Sequence, residues 1–162
     1  IKVDIEAVEA VDDWNFETST PDWRGNGYFR WIGADNFAEP VNGVISYTFQ
    51  VEQSAIYEFR MRSYHETVGE ENDMWIRVDG GQWFKAFGFR QGGWKWATML
   101  EVAGGGQLEP DFSLSSGIHT LEIAGRSNNF QVDQWTMYVQ GGGRNGINAE
   151  WIAQTECTFV SE

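Results

Sequence analysis

Cysteine is almost absent from this chain of 162 residues: Cys157 stands alone, which excludes a disulfide within the chain and reads as a small buried thiol. Histidine occurs only at His65 and His119, and no Gly-x-Ser-x-Gly or His-Glu-x-x-His string is present, so the familiar hydrolase and zinc-peptidase signatures are missing. No apolar run approaches the ~20 residues that a membrane-spanning helix needs. Basic residues are scarce as well: 11 Lys and Arg against 24 Asp and Glu leave a net charge of −13. Such a surface repels nucleic acid and anionic membranes, because the counterion release that drives binding to phosphates requires Lys and Arg. Neutral ligands or a bound cation suit it better. The chain opens at Ile1 with neither an initiator Met nor a signal peptide and is read as a mature or excised segment.

Aromatic residues are what the chain has in excess. They make up 15% of it, nine of them Trp, alongside 19 Gly and only three Pro. An indole is costly to bury whole because its N–H needs an acceptor. Nine exceed the needs of one core of this size, so some are expected at the surface for a purpose. The length suits one domain, and a hydrophobic fraction of 41% excludes a disordered chain.

Period-two alternation dominates the pattern. Val3, Ile5 and Ala7 alternate with Lys2, Asp4 and Glu6. Strands are predicted over 44–51, with Tyr47, Phe49 and Val51 on one face, and over 56–64, with Tyr57, Phe59 and Met61 opposite Glu58, Arg60 and Arg62. Further strands are predicted at 74–78, 83–87, 94–100, 120–124 and 132–139, separated by Asp79-Gly80-Gly81, Gln91-Gly92-Gly93, Gly104-Gly105-Gly106 and Ser115-Ser116-Gly117. No long helical stripe interrupts them. An all-β, mostly antiparallel sandwich follows, over residues 1–140. Residues 141–162, after Gln140-Gly141-Gly142-Gly143, read as an extension or linker with one possible added strand at 156–160.

Several phrases occur in an order that carries a resemblance. They are Ile5-Glu6-Ala7-Val8-Glu9, the block from Gly25 to Gly33 around Tyr28-Phe29-Arg30-Trp31, the pair Tyr47–Val51 and Tyr57–Arg60, and Ser116-Gly117-Ile118-His119-Thr120-Leu121 followed by Val132-Asp133-Gln134-Trp135. Over roughly residues 3–139 the chain resembles carbohydrate-binding modules of families 6 and 35, whose fold is the galactose-binding-like β jelly roll. The insert Glu70–Trp75 and the tail after Gly143 are not typical of those families and leave room for a related, separate one. The resemblance implies a secreted, extracellular, monomeric and non-catalytic module. It would bind polysaccharide and target an attached glycoside hydrolase or polysaccharide lyase to it, with neither nucleic acid nor membrane as partner. Galactans such as agarose or porphyran, β-glucans and xylans are the first ligands to test.

The resemblance also implies a structural calcium held by Glu6 and Asp133. Calcium takes several hard oxygens from carboxylates and carbonyls. The usual second acid, two residues after the first, is Val8 here, so Glu9 or Asp4 would have to substitute.

Sugar rings pack a CH-rich face on an aromatic plane, while their hydroxyls take amide, carboxylate or guanidinium partners. That mixture occurs in Tyr64-His65-Glu66, Glu70–Asp73, Gly92-Gly93-Trp94-Lys95-Trp96 and Arg126–Asn129. The predicted sugar site is therefore Trp94, Trp96, Tyr64, Asn72, Asp73, Arg62, Arg126 and Asn129. Trp94, after two glycines, is expected to be the exposed platform. If the strand is regular, Trp96 shares its side, as a second platform or as core. Trp14 and Trp23 rank next as exposed candidates, whereas Trp31, Trp75 and Trp135, inside strands, read as core. Arg60 reads as a strut under the loops, and Arg62 and Arg126 as either struts or sugar contacts. His119 reads as structural. Two other functions stay open: a small polysaccharide-active enzyme using Glu70, Glu71 and Asp73 as its acids, and a structural sandwich domain of a larger surface protein.

Overall fold

A computed structural model describes residues 1–66, 71–102 and 104–140. The extension 141–162, with its possible strand, and Glu70 lie outside the described residues. Two antiparallel sheets pack face to face. The first runs β11 (Asp111–Leu114), β5 (Ala55–His65), β13 (Gln131–Val139), β3 (Tyr28–Trp31), β2 (Trp14–Glu17), with β1 (Lys2–Asp4) also on β13 and β8 (Gly93–Lys95) also on β5. The second runs β10 (Gly106–Leu108), β9 (Thr98–Val102), β7 (Phe84–Gly88), β6 (Asp73–Val78), β12 (Gly117–Ala124), β4 (Ile45–Val51).

The alternation in the sequence becomes the two faces of these sheets. Along β4, Ile45, Tyr47, Phe49 and Val51 are buried while Ser46, Thr48 and Gln50 are exposed. Tyr57, Phe59 and Met61 of β5 meet them from the other sheet. Trp135 lies edge-on to Tyr47 at 5.5 Å and to Phe49 at 5.6 Å, and Trp14 meets Trp31 at 5.2 Å. Trp14 is thus core, not surface: its Nε1 donates to the Gly43 carbonyl at 2.8 Å. Trp31 and Trp135 are core as expected, but Trp75 is half-buried on the outer face of β6. At the other end of the molecule His119 bridges Asp79 (2.6 Å) and the Ser115 carbonyl (2.7 Å), tying β12 to the turn after β6.

Two departures from the sequence reading shape the site. Residues 94–100 are not one strand. The chain pairs with β5 over Gly93–Lys95, crosses between sheets, and pairs with β7 from Thr98. Trp94 and Trp96 therefore do not share a regular strand face. The first strand likewise stops at Asp4 and gives way to a 3₁₀ turn over Ile5–Ala7, which carries Glu6 off the sheet toward the loop before β3.

Candidate functional site

β5 ends, β6 begins, β7 ends and β12 passes into β13 at one end of the sandwich. The sequence-predicted residues divide there into three groups.

Trp94, Tyr64 and Arg62 form a packed cluster on the outer side of β5. Trp94 is 9% exposed. Its ring meets Tyr28 at 5.3 Å and Tyr64 at 5.4 Å, the Arg62 guanidinium stands 5.4 Å from its centroid, and its Nε1 donates to the Pro21 carbonyl at 2.8 Å. The exposed-platform expectation is corrected. The stretch 18–24 covers the ring, Thr20 bonding both Tyr28 (2.9 Å) and Gln131 (2.8 Å). Trp23, half-buried, donates to the Thr18 carbonyl at 3.1 Å within the same stretch. Trp96 lies past the end of β8, half-buried, with the Lys2 ammonium 5.8 Å from its ring. The Tyr64 hydroxyl donates to Glu66 at 2.6 Å.

Asp73 and Arg126 form a buried ion pair at 2.6 Å, with the Ser127 hydroxyl on the other carboxylate oxygen and Lys85 Nζ 3.6 Å away. Burial pushes the Asp73 carboxyl up, against the pull of Ser127, Arg126 and Lys85. Fully enclosed, Asp73 is a strut and not a sugar ligand or a catalytic acid. Asn129 holds a left-handed conformation (φ 69°), which Asn tolerates, at the turn into β13, and its Oδ1 accepts from Arg30.

Glu6 and Asp133 come together beneath the stretch 22–27. A bulge between Val132 and Gln134 interrupts the β13 ladder and lets Asp133 turn inward. Asp133 Oδ2 accepts from Arg62 and from the Arg24 N–H (2.9 Å), and Glu6 Oε1 accepts from the Asn26 N–H at 2.5 Å. Gly25 suits this turn: its φ of 67° is a left-handed conformation that strains most side chains, and a Cβ there would stand 2.3 Å from Glu6 Oε1 and push that carboxylate aside. Asp133 Oδ1 and Glu6 Oε2 are both buried without a hydrogen-bond partner among the described residues. Burial raises the Asp133 pKa to about 7, the Glu6 charge adding to the rise while Arg62 and the Arg24 N–H oppose it; burial raises Glu6 as well. Two buried, unsatisfied carboxylate oxygens fit a hard cation, which would satisfy both. Among the described residues no group of three His, Cys, Asp or Glu side chains is arranged to hold a metal, and Glu9 is exposed, whereas the Asp4 carboxyl stands beside Glu6 next to Gly25 and adds to the rise of the Glu6 pKa. A calcium ion here would complete its shell from backbone carbonyls.

Between the ends of β5 and β7 opens a cavity of about 710 Å³, lined by His65, Asn72, Phe87, Phe89, Arg90 and Lys95 among others. Phe89 leaves 49% of its surface exposed, with the Arg90 guanidinium 5.7 Å from the ring. Asn72 is fixed by its Nδ2 donating to the Gly88 carbonyl at 3.0 Å. Among the described residues no carboxylate lines this cavity, and the walls they form offer apolar surface and donors rather than an acid pair. Of the sequence-predicted set only Asn72 reaches it. Phe89 and Arg90 went unread, although an aromatic–cation pair directly before Gln91-Gly92-Gly93 was a usable signal.

No family model matches the chain, and no curated protein matches it. Solved structures show the fold. The GH26–CBM35 β-(1,4)-mannanase of Podospora anserina matches at TM-score 0.65 and 12% identity, over 90% of this chain and 28% of that one. A CBM35 from Paenibacillus barcinonensis (TM-score 0.56, 18% identity) and a family 35 carbohydrate-binding module from Clostridium thermocellum (TM-score 0.53, 17% identity) each match over 86% of this chain and 99% of theirs. The chain thus spans little more than a quarter of the mannanase but nearly the whole of the isolated modules. Its fold is the β-sandwich of family 35 carbohydrate-binding modules.

Proposed function

We propose that this chain is a non-catalytic carbohydrate-binding module that docks a polysaccharide in the cavity at the end of the sandwich. The observation that carries this reading is the half-exposed Phe89 ring, flanked by Asn72, Arg90 and Lys95, at the loop end of a fold used by carbohydrate-binding modules. The ring supplies a plane for a sugar's CH face, and the amide and cationic groups supply hydroxyl partners. As in the multi-domain mannanase, such a module would hold an attached glycan-degrading enzyme on its polymer, outside the cell, by raising its local concentration. Titration with agarose, porphyran, β-glucan, xylan and β-mannan, followed by Trp fluorescence, tests the reading. Saturable binding without release of reducing sugar is expected, and reducing-sugar release would make the chain an enzyme instead.

Calcium belongs to this proposal, held by Glu6 and Asp133 with backbone carbonyls from the stretch 22–27. An ion that binds only the folded state stabilises it by mass action, about 2.7 kcal/mol at a hundredfold excess over Kd. Chelation of the calcium-loaded protein should therefore lower Tm by ~5–10 °C, and Glu6→Gln should abolish the difference. An unchanged Tm in protein shown to start with bound calcium would remove the ion from the fold.

A further inference from the structure

The outer face of β6, β7 and β9 carries a second concavity that the site above does not use. Trp75, Lys85 and Glu101 stand in one row across it, Trp75 opposite Lys85 and Lys85 opposite Glu101. They line a groove of about 450 Å³ with Phe37, Trp83 and Arg126.

Its aromatic walls are held in place. Trp75 Nε1 donates to the Asn36 carbonyl at 2.8 Å, which fixes the indole plane. The Arg126 guanidinium stands 5.1 Å from the Trp75 ring and 4.9 Å from the Phe37 ring, anchored below by buried Asp73. Arg126 Nε is buried without an acceptor among the described residues. Trp83 is backed by Arg77 at 4.5 Å, itself bidentate to Glu122 at 2.6 and 2.9 Å. Rings locked by packing and cation–π contacts lose little freedom when a ligand stacks on them.

The charges on the rim balance, Lys85 and Arg126 against Glu39 and Glu101, and the whole chain is strongly acidic. A polyanion gains nothing here; a neutral, hydroxyl-rich polymer finds donors, acceptors and aromatic planes together.

This groove adjoins the first cavity. Lys85 and Phe87 are two residues apart on one face of β7, Lys85 Nζ lies 5.4 Å from the Phe87 ring, and Phe87 lines the first cavity. We propose that the groove is a second glycan subsite, so that the module grips the interior of a neutral polysaccharide chain across Phe89 and then Trp75 and Trp83. This rests on the reading of the first cavity as a sugar site.

The test is a length series of xylo-, cello- and agaro-oligosaccharides, from disaccharide to hexasaccharide, titrated into the wild type and into Trp75→Ala, Trp83→Ala and Phe89→Ala. The wild type should tighten by about tenfold or more along the series that binds. Trp83→Ala, which removes only a half-buried ring, should flatten that gain while leaving the shortest binding oligosaccharide unaffected. Trp75→Ala should do the same if its Tm matches the wild type. Phe89→Ala should weaken every length. Wild-type length dependence in Trp83→Ala, with binding lost in Phe89→Ala, would overturn the second subsite and leave the first standing. Failure of the wild type to bind any of these probes or their parent polymers would overturn the first reading, and this one with it.

Discussion

Replacing Trp94 by Ala should destabilise the fold by about 3–5 kcal/mol, the usual cost of removing a buried aromatic side chain. The ring is enclosed by Tyr28, Tyr64 and Arg62, and its N–H is bonded to the Pro21 carbonyl, so truncation opens a cavity and leaves that carbonyl without its donor. It also loosens the stretch 18–24, the same stretch whose Arg24 N–H reaches Asp133. Chemical denaturation of variant and wild type measures the loss. The sequence alone led to the opposite expectation, an exposed platform whose removal abolishes sugar binding and spares stability. An unchanged denaturation midpoint would restore that view and contradict the packing described here.

Asp73→Ala should cost a similar ~3–5 kcal/mol, because breaking a buried ion pair strands the remaining charge. Arg126 would lose its carboxylate partner, Lys85 would lose one of two, and the Ser127 hydroxyl would be left without its acceptor. Replacing both members, Asp73→Ala with Arg126→Met, should recover part of the loss, since no buried charge then remains unpaired. Denaturation of the two variants side by side checks this. A single variant as stable as wild type, or a double variant less stable than the single, would show that the pair is not the strut the geometry makes it.

The fold was legible because strand alternation survives in the sequence without help from partners. Tyr47, Phe49 and Val51, and Tyr57, Phe59 and Met61, face the core as their spacing requires. The site was less legible because it depends on where the chain leaves a strand. Trp94 and Trp96 look like one face of one strand, but the crossing between sheets after Lys95 separates them. Trp75 looks like core by its position inside β6, yet β6 turns that residue outward, where Arg126 and the loop carrying Asn36 meet it in place of the core. Asp73 and Arg126 carry the chemistry expected of sugar ligands, but they satisfy each other, a pairing across 53 positions that no local pattern reveals. Glu6 and Asp133 were matched through the resemblance. The structure adds what no pattern contained, a bulge and a 3₁₀ turn that bring their unpaired oxygens into the interior.

The most direct test of carbohydrate binding at the cavity is native affinity electrophoresis in gels containing each neutral polysaccharide, running wild type beside Phe89→Ala. Phe89 is half-exposed, so the variant should keep the wild-type stability to within about 0.5 kcal/mol. Retardation of the wild type by at least one polymer, with loss of about thirtyfold in affinity for the variant, is the expected result. Equal retardation of both proteins, or free migration of the wild type through every gel, would contradict it.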